Sequence, residues 1–373
     1  MSSAIRALLV CALVALAAVS GCGSDAVRGD LMITADRVFD GQRVIERGAV
    51  LVKGGKVVWI GEEGDRSVEV VRVARLGDVT VLPGFIDLHV HRLGPGLHSG
   101  VTTVRDLGAP LAFLASSTPH PPPGGQRILV SGPMITVPGG YPIPVWGAGI
   151  GLPVRSPKEA RAAVRTLVRQ GADVIKIALE RQPMLSLEEV RAIVDEAHSL
   201  GRTVTAHVTH PRIAGVALAG GVDQLAHTPC RGNDPEMMRR LAREGVTIVG
   251  TLHVDLGCHP ALLENARAFV TAGGELLYGS DFPARPKIRN GIDAIELKLM
   301  VGAGLTPLEA LAAGTAKAGE ALGMAPLGSL VQGAPADLIA VDGDPLHDLD
   351  VLQSPLLVVA GGAIVVGAEL LSG

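Results

Sequence analysis

The chain has 373 residues, with 37 acidic against 33 basic side chains for a net charge of −4, and only 2% aromatics. No basic footprint or base-stacking surface is present, which excludes nucleic acid as a partner. Hydrophobic residues reach 47% and mean hydropathy is +0.37, carried mostly by Ala, Val, Leu and Gly, a composition that suits a buried parallel sheet wrapped by helices, in a chain long enough for a barrel with a satellite domain.

At the start, Arg6 precedes the apolar LLVCALVALAAV, and VSGC ends at Cys22. The apolar run, about 13 residues, is short of the roughly 20 that span a bilayer, so residues 1–22 read as an export signal. VSGC resembles the lipobox of bacterial lipoproteins, in which the cysteine, here Cys22, is lipidated and becomes the mature N-terminus. An ordinary cleaved signal with an incidental cysteine is the alternative. The expected location is the cell envelope, periplasmic or outer surface, with an N-terminal lipid anchor in the membrane. Setting aside Cys11 and Cys22 leaves Cys230 and Cys258, which an oxidising compartment allows to form a disulfide near the rim of the site.

Residues 30–83 hold short β-rich runs, LMITADRVFDG, AVLVKGGKVVWIG and SVEVVRVARLG, broken by turns such as KGGK. The last 45 or so residues have the same texture, in ADLIAVDGDP and PLLVVAGGAIVV. Residues 23–83 plus 325–373 are therefore expected to form one small β-sandwich domain built from both chain ends.

Between them, residues 84–324 alternate strand and helix. Helix-period SPKEARAAVRTLVRQG leads to ADVIKIAL, SLEEVRAIVDEAHSLG to TVTAHV, PRIAGVALAGG to VDQLAHTP, and DPEMMRRLAREG to VTIVGTLHV. Several of these helices end in glycine caps. Counting VLPGFIDLHVH, VTTVRDLG, RILVSGPMI and ELLYGSDFP gives eight strands, the arithmetic of an α/β fold of (β/α)8 TIM-barrel type.

The active site of such a barrel lies at the C-terminal strand ends. His89 and His91 are two apart, so on a strand they share a face while Leu88 and Val90 point away. Lys176, His207, His227 and Asp281 follow at later strand ends. A buried lysine is disfavoured as a cation, and a neutral amine can capture CO2 to become a carbamate able to bridge two metal ions; pairing to a carboxylate is the plainer role. His207 and His227 lie 20 residues apart, one helix and one loop between adjacent strand ends. Asp281 in YGSDFP could bind an ion and move a proton, or merely cap the following turn.

The order HxH, Lys, His, His, Asp, together with GVTTVRDLG, LTPLEALAAGTAKAGEALG and GAPADLIAVDGDPL, resembles the amidohydrolase superfamily over almost the whole mature chain, most closely its imidazolonepropionase-like and prolidase-like branch. The resemblance implies two divalent metal ions, with zinc the first choice. His89, His91 and Asp281 would hold one ion, His207 and His227 the other, with the carboxylated Lys176 and a hydroxide bridging. It implies hydrolysis of a C–N amide bond in a small-molecule substrate (peptide, N-acyl amino acid or cyclic amide), with Asp281 as catalytic base and then acid.

Around this set, the Gly- and Pro-rich loop ITVPGGYPIPVWGAGIGLP carries Tyr141 and Trp146, expected as a lid or substrate wall. His210 and His253 are candidate substrate contacts. Asp87 is expected to support the ligands, and Arg105 and Asp106 to form an ion pair. ALERQPMLS is short, and no charged cluster able to grip a substrate carboxylate is evident, which counts against dipeptide specificity. A mononuclear deaminase or imidazolonepropionase-like hydrolase, with Lys176 a free amine and His227 aiding catalysis, is the competing enzyme. A non-catalytic surface-binding lipoprotein is the competing class, and self-association into a homo-oligomer is left open.

Overall fold

The computed structural model describes residues 26–91, 96–258, 260–284, 288 and 290–371. The signal-segment reading and Cys22 lie outside the described residues. No helix among those described is long and apolar enough to cross a membrane.

The chain opens with five strands rich in β-branched residues: β1 (Val27–Phe39), β2 (Val44–Lys53), β3 (Lys56–Glu62), β4 (Val68–Arg75) and β5 (Val79–Pro83). Gly54 and Gly55, both at positive φ, make the tight turn between β2 and β3. β1 pairs antiparallel with β2, Leu31 opposite Val52, and parallel with β4 and β5.

The middle of the chain supplies β6 (Phe85–Val90), β7 (Val101–Asp106), β8 (Arg127–Val130), β9 (Met134–Thr136), β10 (Gly151–Pro153), β11 (Ile175–Ala178), β12 (Val204–His207), β13 (Gln224–Leu225), β14 (Thr247–Val249) and β15 (Leu276–Leu277). They pair in parallel as β6-β7-β8 and as β10-β9-β11-β12-β13-β14-β15. Further hydrogen bonds join these two groups. Asp173 N donates to Val130 O at 2.8 Å, and on the other side Leu88 N donates to Tyr278 O at 3.3 Å and Asp281 N to His89 O at 2.7 Å. Close approach there depends on Gly279, where a Cβ would meet Val249 Cγ1 at 2.3 Å and His89 Cβ at 3.0 Å.

Helices cover the parallel strands. The helix Pro157–Arg169 starts where Ser156 accepts from Glu159 N, and buries Ala160, Val164 and Leu167, spaced at four and three residues along one face. Ser186 with Glu189, and Thr306 with Glu309, form complete capping boxes at the starts of Leu187–Ser199 and Pro307–Ala313. Each fully buried leucine or valine in these faces contributes about 1.5–3 kcal/mol. The fold is α/β and TIM-barrel-like. The third expected strand is split into β8 and β9, because Gly132 and Pro133 interrupt it.

The chain ends in β16 (Leu338–Asp342), β17 (Leu357–Ala360) and β18 (Ala363–Val366). β16 pairs antiparallel with β5, Ile339 opposite Leu82, so both chain ends belong to one mixed sheet in the order β18-β17-β16-β5-β1-β2-β3, with β4 on β1. Its apolar core includes Leu31, Val81, Leu338 and Val359, all fully buried.

Candidate metal centre and active site

Polar side chains gather where the parallel strands end. His89 lies on β6 with His91 just beyond it, Lys176 lies on β11, His207 ends β12, His227 follows β13 and Asp281 follows β15. His89 and Lys176 are completely buried, and His207, His227 and Asp281 nearly so. The imidazole centroids of His89 and His91 are 5.0 Å apart, those of His89 and His227 4.8 Å, and those of His207 and His227 4.6 Å.

Hydrogen bonding fixes which ring nitrogens face inward. His89 Nδ1 is 2.7 Å from Ala226 O and His91 Nδ1 is 3.3 Å from Gly108 O. A carbonyl only accepts, so both Nδ1 atoms carry the proton and both Nε2 atoms present lone pairs. Those two Nε2 atoms are 3.2 Å apart, and Asp281 Oδ1 lies 3.4 Å from the first and 3.2 Å from the second, with no hydrogen bond of its own. With both imidazoles neutral, three acceptors converge, an arrangement that repels unless a proton on His91 or a metal cation sits at its centre. Tetrahedral ligands about 2.1 Å from an ion are separated by about 3.4 Å, so the spacing matches a divalent metal.

The electrostatics agree with that fit. Burial pushes His89 well below its usual pKa and His207 down to about 4, so both remain neutral, the form that ligates. Burial also drives the Lys176 amine well below its normal range, and its Nζ has no hydrogen-bond partner. His91 and Asp281 are a different case: with no cation between them each favours the other's charged form against burial, the carboxyl held below its usual range by His91 and the imidazole raised by the carboxylate, so a metal ion there would take the place of the proton on His91. Asp281 has φ +55, a left-handed backbone that aspartate tolerates.

Supporting residues orient this ring. Asp87 accepts from His89 N at 3.1 Å and Ser280 N at 3.0 Å, and takes a 2.5 Å hydrogen bond from Ser280 Oγ. It thereby ties β6 to the Asp281 segment, and burial lifts its carboxyl to about 6. Above the ring is a cleft of about 370 Å³. Tyr141 stacks on His207 with centroids 4.3 Å apart, and Trp146 Nε1 donates to Tyr141 Oη at 3.1 Å.

Several expectations need correction. His210 is at the start of a helix with Nδ1 3.0 Å from Arg231 O, and it does not line the cleft. His253 turns away as well, 2.7 Å from Asp293 Oδ2, because it lies in the short helix Leu252–Asp255 rather than on a strand. Arg105 and Asp106 do not pair. Neighbours on a strand face opposite ways, so Arg105 donates to Leu88 O and Gln224 Oε1 while Asp106 accepts from Gly108 N.

The cleft does carry charge, contrary to the sequence reading, since Glu180, Arg181, Arg231 and Asp255 all line it. Glu180 lies 3.5 Å from His207 and 3.6 Å from Arg231 and accepts from Thr209 Oγ1 at 2.6 Å. Its strand parity with Lys176, four residues earlier, was the available signal. Cys230 and Cys258 are disulfide-bonded, Cα to Cα 6.1 Å.

A TIM-barrel-like fold with a buried, proton-poor ring of imidazoles and a carboxylate defines a metal-dependent hydrolase. A profile of the amidohydrolase family matches residues 80–365, and the chain belongs to that family, whose chemistry here is metal-dependent hydrolysis of C–N bonds. The chain is similar to ochratoxinase of Aspergillus niger, 27% identical in an alignment that covers 83% of this chain and 80% of that one. It is also similar to imidazolonepropionase of Paracoccus denitrificans, 25% identical in an alignment that covers 83% of this chain and 92% of that one. Its fold is like that of a solved Xaa-Pro dipeptidase with bound methionine, at a TM-score of 0.76 and 24% identity over 90% of this chain and 99% of that one.

Proposed function

We propose that the chain is an exported, binuclear amidohydrolase that cleaves the amide bond of a small peptide or N-acyl amino acid. The observation that carries this is the convergence of His89 Nε2, His91 Nε2 and Asp281 Oδ1 within 3.2 to 3.4 Å of one another. His89, His91 and Asp281 would hold one ion, and His207 and His227 the second. Lys176, buried and unpartnered, is suited to carboxylation as the bridge, and zinc suits the imidazole and oxygen donors. Divalent ions bound there supply Lewis acidity, polarising a carbonyl and making water nucleophilic near neutral pH.

The chain's own groups handle position and protons. Asp281 is ionised and buried beside the reacting position, so it takes a proton and returns it to the leaving nitrogen. Burial pushes the Tyr141 phenol up to about 12, keeping it protonated, and since its oxygen accepts from Trp146 its own O–H is free to donate to the substrate carbonyl. Arg181 and Arg231 line the cleft and would pair with a substrate carboxylate, Arg231 being shared with Glu180 at 3.6 Å. Xaa-Pro dipeptidase and ochratoxinase among the similar proteins support an amide substrate of this kind.

For the scaffold, the hydrogen bonds that join β8 to Asp173, just before β11, and β6 to the Tyr278–Asp281 segment support a closed (β/α)8 barrel over residues 84–324. The mixed sheet of β1–β5 and β16–β18 is read as a small sandwich folded over its own core. The VSGC motif supports a lipid anchor at Cys22, which mass spectrometry of the membrane fraction tests.

Purified, metal-loaded protein assayed against dipeptides, N-acyl amino acids, cyclic amides and lactones tests the function. Amide turnover that disappears on chelation supports it; activity indifferent to chelation would sink it. One specific observation favours a second reading. Only His89, His91 and Asp281 come within 4.8 Å as a three-ligand group among the described residues, which suits a single ion with Lys176 as a free amine. Metal counted per chain separates one ion from two.

A further inference from the structure

A set of groups at the Nδ1 edge of His227 has no part in the chemistry above. His227 Nδ1 is 2.8 Å from Thr251 Oγ1, and that hydroxyl donates to Asp255 Oδ2 at 3.1 Å. With its proton directed to the carboxylate, the Thr251 oxygen is left to accept from Nδ1–H. The imidazole is then held in the tautomer whose lone pair is on Nε2. Asp255 Oδ2 is itself 3.3 Å from Nδ1, so the three groups close a triangle.

Thr251 is fully buried and has φ +49, a left-handed backbone that a β-branched residue keeps only where its surroundings enforce it. Those surroundings are present. Asp255 N donates to Thr251 O at 3.2 Å, and His253 N donates to Glu296 Oε2 at 2.7 Å. Cys258 N donates to Asp255 O at 2.7 Å, and Cys258 is bonded to Cys230, three residues past His227. The segment that carries Thr251 and Asp255 is thus tied covalently to the segment that carries the histidine they contact. Cys230 is anchored in turn, its N–H donating to Thr209 O at 2.9 Å.

We propose that Thr251 and Asp255 are positioning residues for the His227 imidazole, and that the Cys230–Cys258 disulfide keeps them in place, so that breaking it weakens the hold of the site on its metal. This rests on the reading of His227 as a ligand. The experiment loads the full-length protein with zinc and follows release to a colorimetric chelator. Thr251→Val, which keeps the shape and removes the hydroxyl, should release zinc about 10- to 100-fold faster than wild type, and Thr251→Ser should restore slow release. The double variant Cys230→Ala, Cys258→Ala should behave like Thr251→Val. So should folded wild type treated with a phosphine reductant, a measurement that does not depend on the variant folding. Leu338→Ala, in the distant end sheet, controls for general destabilisation and should leave release unchanged.

Release from Thr251→Val and from the disulfide-free protein no faster than from Leu338→Ala would overturn the proposal. His227→Ala tells this failure from that of the underlying reading. If it retains zinc as well as wild type does, His227 is not a ligand; if it loses zinc while Thr251→Val does not, only the positioning role falls.

Discussion

The end sheet and the ring of strand ends use the same buried, β-branched backbone, yet they bury opposite kinds of side chain. In the sheet, Leu31, Val81, Leu338 and Val359 belong to one apolar cluster. In the ring, His89, Lys176, His207, His227 and Asp281 are buried as deeply, and Lys176 Nζ and Asp281 Oδ1 have no hydrogen-bond partner. A buried polar atom left unpaired costs about 1–3 kcal/mol. The sheet therefore supplies stability that the ring consumes, and the ring is poised to recover it when a ligand arrives.

The sharpest way to test that division is Asp281→Asn. Turnover should fall roughly 10³-fold, in the range for loss of a general acid–base group, while the melting temperature stays within a degree or two of wild type. Steady-state kinetics beside thermal denaturation would show both, and a variant that keeps near-normal turnover would remove Asp281 from its role. Leu338→Ala should give the mirror image. It should lose about 2–5 kcal/mol of stability through lost burial and the cavity left behind, with kcat of the folded protein unchanged.

Lys176→Met crosses the two regions, since it places an apolar side chain of similar length in the ring. Burial already drives this amine toward neutrality, so removing it should leave stability equal or higher. Turnover should fall roughly 100-fold, and on the proposed two-ion reading metal bound per chain should drop from two toward one. Elemental analysis and urea denaturation read the two effects separately. A loss of stability as large as that of Leu338→Ala would mean that Lys176 is structural.

The contrast also explains what was legible in the sequence. Short β-rich runs broken by glycine turns announced the strands of both chain ends, and most of those runs are buried along consecutive residues rather than on one face. Strand parity and the spacing of strand ends brought out His89, His91, Lys176, His207, His227 and Asp281, which the fold does gather. Thr251 and Asp255 were missed because they lie past the end of β14, where a left-handed residue and a four-residue helix leave no periodic trace. The same short helix misled the reading of His253. Arg231 was hidden for a different reason. It follows a two-residue strand, and only the return of Cys230 N and Arg231 N to Thr209 O turns that loop back over the cleft. The expected Arg105–Asp106 pair was contrary to strand geometry from the outset.

The smallest effect expected is at the rim. Trp146 is about half exposed (48%), lies 6.0 Å from His91 between ring centroids, and braces the Tyr141 hydroxyl through its indole N–H. It belongs neither to the sheet's core nor to the ring, so Trp146→Ala should leave stability and metal content alone. What it removes is an apolar wall and one hydrogen bond of about 1 kcal/mol, so KM should rise several-fold while kcat changes little. Phenylalanine at the same position restores the wall without the N–H. If KM recovers, the wall matters most. If only tryptophan supports wild-type KM, the indole acts by aiming the Tyr141 O–H at the substrate. A large fall in kcat with KM unchanged would move Trp146 from the rim into the catalytic ring and blur the division between the two regions.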